Sequence, residues 1–122
     1  MAKKVINTEF APSPIGPYNQ AIKAGNLLFI SGQIAPQDSV EPDITNETAE
    51  IMAHHAAILK EAGMTFENVV KTTIFLKDMS FFGTMNIEYG KYFPTDAPAR
   101  ETVAVKGLPK DVNVEISMIA SE

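Results

Sequence analysis

The segment from Pro98 to Ile116 constrains the fold most, because two alternating runs lie on either side of a turn signal at residues 106–111. In the first run, one face carries Arg100, Thr102, Ala104 and Lys106, and the other carries Glu101, Val103 and Val105. In the second run, one face carries Val112, Val114, Ile116 and Met118, and the other carries Asn113, Glu115, Ser117 and Ile119. Alternation with a period of two predicts β-strands. If the two strands pair, Arg100 and Glu115 can approach each other on a largely apolar sheet.

Arg100 and Glu115 are the two charges that this arrangement has to accommodate. Burying a charge is costly unless a partner or a ligand compensates it. The residues alone leave two interpretations open. One is a structural salt bridge between the strands, and the other is a site for a charged ligand.

Composition excludes several classes of protein. The 122 residues fit a single domain over residues 1–122. The absence of cysteine excludes disulfides, thiolate catalysis and cysteine-based metal sites. The sequence has no apolar run long enough to span a bilayer and no signal-peptide core near its start, so we expect a cytoplasmic protein without a membrane partner.

The charge pattern bears on the partners. Nucleic-acid binders usually concentrate basic residues on one face, whereas the ten basic residues here are scattered and the net charge is −5. We therefore expect no nucleic-acid partner. Phosphate-loop, dinucleotide-binding and nucleophile-elbow motifs are absent from the sequence.

The first third of the chain predicts a sheet edge followed by a hairpin. Residues 4–7 form a short edge strand, and the prolines of residues 12–17 make the next segment irregular. Residues 19–23 and 27–30 flank a turn in which Gly25 supplies the unusual backbone angles. Tyr18 is either a packing residue or a site residue. Gly32 marks either a bulge or a close approach of the backbone to another group.

A first helix is predicted after a polar loop at residues 36–44. Thr45 is its expected N-cap and Gly63 its C′ residue. His55 falls on the apolar stripe of this helix and is expected to be packed and hydrogen-bonded, whereas His54 is expected to be solvated. Adjacent helix positions diverge by about 100°, so the two rings are poorly placed to share a metal.

The second half of the chain completes the fold class. Residues 69–77 predict a strand because they alternate and are rich in β-branched residues. Ser80 is the expected cap of a second helix, whose core-facing stripe is Phe81, Met85, Tyr89 and Tyr92, with Asn86 off the stripe. The order of elements indicates an α+β domain with both helices on one face of a mixed sheet. The sequence offers no third helix for the opposite face, which predicts self-association of unspecified symmetry.

Three segments resemble one known family. They are "PAR" followed fourteen residues after the arginine by "VEI", the N-terminal "FAPSPIGPYNQAIKAGNLLFISGQI" and the central "VVKTTIFLKDMSFFGTMNIEYGKYF". These segments are similar to the RidA/YjgF family of reactive-intermediate deaminases, and they cover most of the chain without a large gap. The resemblance implies a chorismate-mutase-like (RidA-type) fold that forms a homotrimer around a central axis. It also implies three active sites, in clefts between neighbouring subunits.

The resemblance implies an activity as well. The family hydrolyses enamine and imine intermediates, such as 2-aminoacrylate/2-iminopropanoate and 2-iminobutanoate, to 2-oxo acids and ammonia. Dehydratases that use pyridoxal phosphate (PLP) release these intermediates, whereas the hydrolase itself needs no cofactor. Two alternatives stay open. One is a non-catalytic trimer that binds 2-oxo acids as a regulator, and the other is a ribonuclease or translation inhibitor.

The residue roles implied by the resemblance fall into two groups. The catalytic group comprises Arg100, which binds the substrate carboxylate, Glu115, which positions or deprotonates the attacking water, and Tyr18, which shields the planar substrate. The substrate-binding group comprises Arg100, the main-chain groups of Thr102, and the residues Ser31, Gly32 and Asn86.

The chain departs from the family pattern near these residues. Thr102 stands where many members have cysteine, and Glu101 stands where a small residue is common. Alternation directs Glu101 away from the face of Arg100, so we expect it not to neutralise the site. The departures at Glu47, Glu50 and His54 lie on the first helix, where we expect them to affect surface or interface detail.

Overall fold

A computed structural model describes residues 2–36 and 43–122. Its strands are β1 (Lys4–Ile6), β2 (Ala21–Ala24), β3 (Leu27–Gln33), β4 (Val69–Leu76), β5 (Ala99–Ala104) and β6 (Val114–Ser121). Its α-helices are α1 (Ile44–Glu61) and α2 (Phe82–Gly90), with short 3₁₀ turns at Phe66–Asn68, Met79–Phe81 and Pro109–Asp111. Most of the polar loop predicted at residues 36–44 lies outside the described residues.

The six strands form one mixed sheet in the order β1-β2-β3-β6-β4-β5. Strands β4 and β5 are parallel, and the other neighbouring pairs are antiparallel. The predicted edge strand and the hairpin are confirmed, and Gly25 has the expected positive φ of 60°. The α+β class with a mixed sheet and two α-helices is confirmed for the described residues.

The two C-terminal strands do not pair with each other, because β4 lies between β5 and β6. Strand β5 follows β4 through α2 and lies parallel to it, with Arg100 opposite Thr72. This crossover allows the apolar side of α2 to pack on the sheet. Strand β6 then occupies a central position, with β3 on one side and β4 on the other. Its alternating burial matches the predicted faces of this strand.

Both α-helices pack on one face of the sheet, as predicted. The core between them and the sheet is made of fully buried apolar side chains, among them Leu28, Ile51, Met52, Ile58, Leu59, Ile74, Leu76, Met85 and Ile116. The opposite face carries partly exposed apolar side chains: Val5 is 44% exposed, Phe29 43% and Val103 46%. Self-association through this face stays a prediction.

The helix ends agree only in part with the sequence-based prediction. The N-cap of α1 is Asp43 and not Thr45, since the backbone N–H of Thr45 donates to Asp43 Oδ1 over 2.9 Å. A carboxylate in this position also interacts favourably with the helix dipole. Gly63 has a φ of +75° and lies at C′, as predicted.

Before α2, Asp78 caps the turn Met79–Phe81 and accepts a hydrogen bond from the backbone N–H of Ser80. The predicted cap at Ser80 is therefore wrong, because Ser80 supplies the donor. The aromatic stripe is confirmed. Met85 and Tyr89 are buried, and Phe81 and Tyr92 pack at the margin of the core.

The two histidines are both buried. His55 Nε2 lies 2.7 Å from the carbonyl oxygen of Ile116, and burial lowers its pKa to about 4, so its predicted packing is confirmed. The prediction that His54 is solvated is wrong, since this residue is only 7% exposed. Helix α1 packs against α2 as well as against the sheet, so its buried side is wider than one stripe.

Candidate active site

Arg100 lies on the helix side of the sheet. Its register partner Thr72 is fully buried and is hydrogen-bonded to α2, which places both side chains on that face. Arg100 Nη1 donates to Asn86 Oδ1 over 2.8 Å. Within the described residues, the other guanidinium donors form no hydrogen bond or ion pair. They form a planar fork that suits a carboxylate.

Helix α2 presents three side chains to this guanidinium. The Arg100 Cζ atom lies 5.6 Å from the ring centroid of Phe82 and 5.1 Å from that of Tyr89. With Asn86, these residues follow the spacing i, i+4, i+7, which lines them up on one side of the helix. Asn86 was predicted to lie off the aromatic stripe, and the structure shows that it belongs to this neighbouring stripe.

Thr102 lies two residues beyond Arg100 on the same side of β5, opposite Ile74. Strand β5 is the last strand of the sheet, so one of its backbone edges faces away from β4. Such an edge leaves N–H and C=O groups available to another chain or a ligand. The Thr102 Oγ1 atom is buried and has no hydrogen-bond partner among the described residues.

Glu101 lies on the opposite face, as predicted. Its carboxylate is 3.1 Å from Lys71 Nζ. This side chain therefore does not neutralise Arg100 within the chain.

Glu115 lies on the face of the sheet that the helices leave open. It stands opposite Phe75 of β4 and between the buried Val114 and Ile116 of β6, whose side chains point toward the helices. Burial raises the pKa of its carboxyl above the usual range. Its carboxylate forms no hydrogen bond or ion pair within the part of the chain that the structure describes.

Gly32 lies directly against Glu115. The β3–β6 register shifts between Ile30 and Gln33, so Ser31 and Gly32 form a bulge. A Cβ atom on Gly32 would lie 2.8 Å from Glu115 Cδ and closer still to Oε2. The two interpretations left open for Gly32 are therefore both correct.

Ser31 holds the bulge in place. Its Oγ donates to the carbonyl of Asn19 over 2.6 Å, and its backbone N–H donates to the carbonyl of Gln20 over 2.9 Å. The hydroxyl of Ser31 thus has a structural partner, and its substrate-binding role stays a prediction.

Tyr18 lies at the wall of a cavity of about 320 Å³. The cavity is also lined by Ile15, Gln20, Gly32, Gln33 and Lys110, among others. Tyr18 is 47% exposed, and its Oη accepts a hydrogen bond from the backbone N–H of Ile15 over 3.3 Å. The side chain is therefore accessible beside Gly32.

Gln20 is a supporting residue that the sequence analysis missed. Its amide donates to the carbonyls of Thr8, Ala11 and Pro12, and its Oε1 accepts from the N–H of Thr8. These bonds hold the proline-containing segment over the cavity. The one available signal was that Gln20 belongs to the N-terminal segment that resembles the family.

Glu47 is a second supporting residue that was missed, since its departure from the family pattern was expected to affect only surface or interface detail. It is fully buried, and its carboxylate accepts hydrogen bonds from Asn113 N, Asn113 Nδ2 and Val114 N at 2.8–3.0 Å. These bonds fix the start of β6, directly before Glu115. A glutamate in a first helical turn gives no sequence signal for such a role.

The predicted site residues fall into two groups that do not meet in one chain. Arg100, Asn86 and Thr102 lie on the helix side at the β5 edge, and Tyr18, Ser31, Gly32 and Glu115 lie around the β3–β6 bulge. Strand spacing puts the Cα atoms of Arg100 and Glu115 about 14 Å apart, on opposite faces. The approach that strand pairing would have allowed does not occur within a chain, and the salt-bridge interpretation is wrong.

Neither a metal site nor a membrane span is found in residues 2–36 and 43–122. No three or more His, Cys, Asp or Glu side chains there are grouped to hold a metal ion. No helix in this part is both long and apolar enough to cross a membrane.

The chain is similar to known proteins over nearly its whole length. Residues 8–122 match the family described as Endoribonuclease L-PSP. The chain is 51% identical over 123 residues to a RutC family protein of Pyrococcus horikoshii, with 97% of each chain covered. It is 43% identical over 123 residues to the chloroplastic Reactive Intermediate Deaminase A of Arabidopsis thaliana, covering 98% of this chain and 66% of that protein.

Solved structures match over the same extent. A Rid family protein of Yersinia pestis, YyfA, superposes with a TM-score of 0.93 at 44% identity, covering 99% of this chain and 100% of that chain. TdcF of E. coli, crystallised with bound serine, superposes with a TM-score of 0.91 at 36% identity over 98% of each chain. These similarities include the strands that carry Arg100 and Glu115.

Proposed function

Because the chain belongs to the RidA family, also described as Endoribonuclease L-PSP, we propose that it is a hydrolase that deaminates reactive enamines and imines. Its substrates are 2-aminoacrylate/2-iminopropanoate and 2-iminobutanoate, and its products are 2-oxo acids and ammonia. The observation that carries this proposal is the Arg100 guanidinium, which is supported by Asn86 and keeps donors free for a carboxylate. The name of the Arabidopsis relative is consistent with it.

The active site is completed between copies of the chain. Each chain carries the Arg100 group at the β5 edge and the Glu115 group on the open sheet face, and either group alone lacks half of the proposed chemistry. The exposed apolar side chains Val5, Phe29 and Val103 favour packing of that face against other copies. The proposed assembly is a homotrimer with a site in each cleft between subunits.

The reaction uses Arg100 to bind and Glu115 to move protons. Arg100 holds the carboxylate, and the main chain of Thr102 holds the imine side. The enamine first takes up a proton from solvent at its β-carbon, or the imine at its nitrogen, which gives the iminium ion. Water then adds to the iminium carbon while Glu115 takes one of its protons, which gives a carbinolamine. Glu115 returns that proton to the amine nitrogen. The C–N bond then breaks as the hydroxyl proton passes to Glu115. The departing ammonia takes up this proton, so that ammonium and a 2-oxo acid leave and the carboxylate is restored.

The environment of Glu115 supports this role. Partial burial raises the pKa of its carboxyl, which makes the carboxylate a stronger base than a fully solvated one. Tyr18 covers the planar substrate at the cavity wall. The proposed reaction needs no cofactor, because the imine carbon is already electrophilic. PLP-dependent dehydratases would supply the substrate.

The test is hydrolysis of 2-iminobutanoate generated in situ by a threonine dehydratase, with 2-oxobutanoate and ammonia both measured. We expect wild type to exceed the buffer-catalysed rate and Arg100→Ala to lose at least about 100-fold in kcat/KM, since charge-assisted bonds to the carboxylate are lost. Lys60→Ala removes an exposed cation at the end of α1 and serves as the matched control. A wild-type rate equal to the buffer rate would refute the enzymatic function.

A non-catalytic 2-oxo acid sensor is the second candidate. It is favoured by the fact that Arg100, Asn86 and the rings of α2 form an anion site without any contribution from Glu115. Glu115→Gln separates the two functions. If the protein is an enzyme, this change lowers kcat while the Kd for 2-oxobutanoate changes little. If it is a sensor, wild type and Glu115→Gln have the same Kd and neither shows turnover.

A further inference from the structure

The guanidinium of Arg100 is held by more than its hydrogen bond to Asn86. Arg100 lies on an edge strand and is partly exposed, and within the described residues only α2 borders its guanidinium, through Asn86 and the rings of Phe82 and Tyr89. Arginine has many rotamers, and a single hydrogen bond leaves the plane of its guanidinium free to tilt. The ring of Tyr89, with its centroid 5.1 Å from Cζ, supplies a flat surface beside the guanidinium.

The Tyr89 ring is itself fixed. Its Oη lies 2.8 Å from Thr72 Oγ1, a buried hydrogen bond between α2 and β4. Its ring also packs against Phe93, with centroids 4.9 Å apart, and the residue is only 6% exposed. Thr72 is also the register partner of Arg100 on the neighbouring strand. The residue that anchors the Tyr89 ring therefore lies directly beside Arg100.

We propose that Tyr89, anchored by Thr72, is a positioning residue that orients the Arg100 guanidinium toward the carboxylate of a planar 2-imino or 2-oxo acid. This inference rests on the proposed function and adds the residues that orient its anion-binding group. Asn86 restrains the guanidinium by one Nη1 bond. The rings beside it restrain its plane, and that of Tyr89 is nearer than that of Phe82, at 5.1 Å against 5.6 Å. A bidentate contact depends on that plane, because two parallel N–H···O bonds form in one orientation only.

A purely structural role for Tyr89 makes different predictions. Loss of core packing lowers stability and affects turnover only as far as the protein unfolds. Loss of positioning instead raises KM and the Kd for a carboxylate ligand together, in protein that remains folded. A positioning role for Tyr89 also requires the guanidinium. The increase in Kd therefore becomes smaller when Arg100 is replaced by lysine, whose ammonium has no plane to orient.

The experiment compares Tyr89→Leu, Tyr89→Phe and Thr72→Val by steady-state kinetics, titration calorimetry with 2-oxobutanoate and thermal unfolding. We expect Tyr89→Leu to raise KM and Kd about 3- to 10-fold, since it removes the ring face. Tyr89→Phe and Thr72→Val break the same hydrogen bond from its two ends, so both should raise Kd by about the same factor, roughly 2-fold. Ile58→Val, a conservative change of a fully buried core residue on α1, controls for stability.

The decisive measurement is the double-mutant cycle with Arg100→Lys. We expect Tyr89→Leu to raise the Kd less than 2-fold in the lysine background, which marks coupling between the two side chains. An equal effect in both backgrounds, or an unchanged Kd in all Tyr89 and Thr72 variants, would overturn the positioning role. If wild type neither binds 2-oxobutanoate nor accelerates hydrolysis, the proposed function itself fails. If Tyr89→Leu does not fold, Tyr89→Phe and Thr72→Val alone decide.

Discussion

Replacement of Gly32 by alanine separates the chemical role of the β3–β6 bulge from its structural role. A Cβ at this position would lie 2.8 Å from Glu115 Cδ and 3.0 Å from its Cγ, inside normal contact distance. Gly32 is not among the residues with positive φ, so backbone strain adds nothing to the effect. The whole perturbation is the collision with Glu115.

The magnitude follows from which atoms must move. The end of the Glu115 side chain is flexible and half-buried, so most of the clash is relieved by rotation of that side chain. The cost in unfolding free energy should fall at the low end of the overpacking range, about 1 kcal/mol, which corresponds to about 4 °C in Tm. The carboxylate, however, leaves its position, and loss of a general base lowers kcat by about 100-fold or more.

Chemical unfolding and the coupled dehydratase assay measure the two effects. Gly83→Ala is the matched control, because a Cβ on this α2 residue would meet nothing within 4 Å. It should stabilise the protein by up to about 1 kcal/mol and leave kcat unchanged. In the Glu115→Ala background the stability cost of Gly32→Ala should largely vanish. If Gly32→Ala keeps the wild-type kcat, Glu115 is not the base and this reasoning is wrong.

Three further predictions concern buried or half-buried titratable groups. Glu47→Ala should destabilise the protein by at least about 3 kcal/mol in urea unfolding, because three donors at the start of β6 lose their acceptor; a loss below 1 kcal/mol would contradict this. The pKa of His55 is lowered by burial to about 4, so the unfolded chain binds the proton first as the pH falls below 6.5. Stability should be complete above that pH and fall by about 3 kcal/mol toward pH 4, and His55→Gln should flatten this dependence in unfolding experiments at several pH values. Because burial raises the pKa of Glu115, the acid limb of kcat should lie above the usual carboxyl range; Glu115→Gln should remove that limb, and an unchanged limb would assign it to another group.

Local pattern was sufficient for the elements and for several of their ends. The strands at residues 4–7 and 69–77, the hairpin around Gly25, the apolar stripes of α1 and α2 and the Gly63 cap were predicted correctly for the described residues. Each depends on the period of a single element or on one backbone angle. The family was recognised in the same way, from short segments in order along the chain.

Polar residues at helix starts show where local reasoning becomes ambiguous. Thr45 and Ser80 each follow an aspartate two residues earlier, and in both cases the aspartate accepts the hydrogen bond. Threonine, serine and aspartate are all good caps, so the sequence permitted either choice. His54 was expected to be solvated, and Glu47 was interpreted as a residue of the first helical turn. The hydrophobic period of α1 predicts one buried side, and it does not show that α2 covers a second side of this helix.

The order of the strands, and with it the site, was decided only by the tertiary structure. Alternation showed that Arg100 shares a face with Thr102 and that Glu115 lies opposite the apolar face of β6. It did not show which face of β5 the helices cover. Val103 is 46% exposed while Arg100 lies against α2, the reverse of what hydrophobicity alone suggests for β5.

The physical reason is that side-chain alternation is a property of one strand, whereas strand pairing depends on which other strands can hydrogen-bond to its two edges. Helix α2 needs β5 beside β4 to bury its own apolar side, and it offers Asn86 and Tyr89 to the arginine that this arrangement brings in. Strand β6 then fills the centre of the sheet. The sequence determined which residues are available for chemistry, and only the packing of α2 on the sheet placed Arg100 and Glu115 on opposite faces.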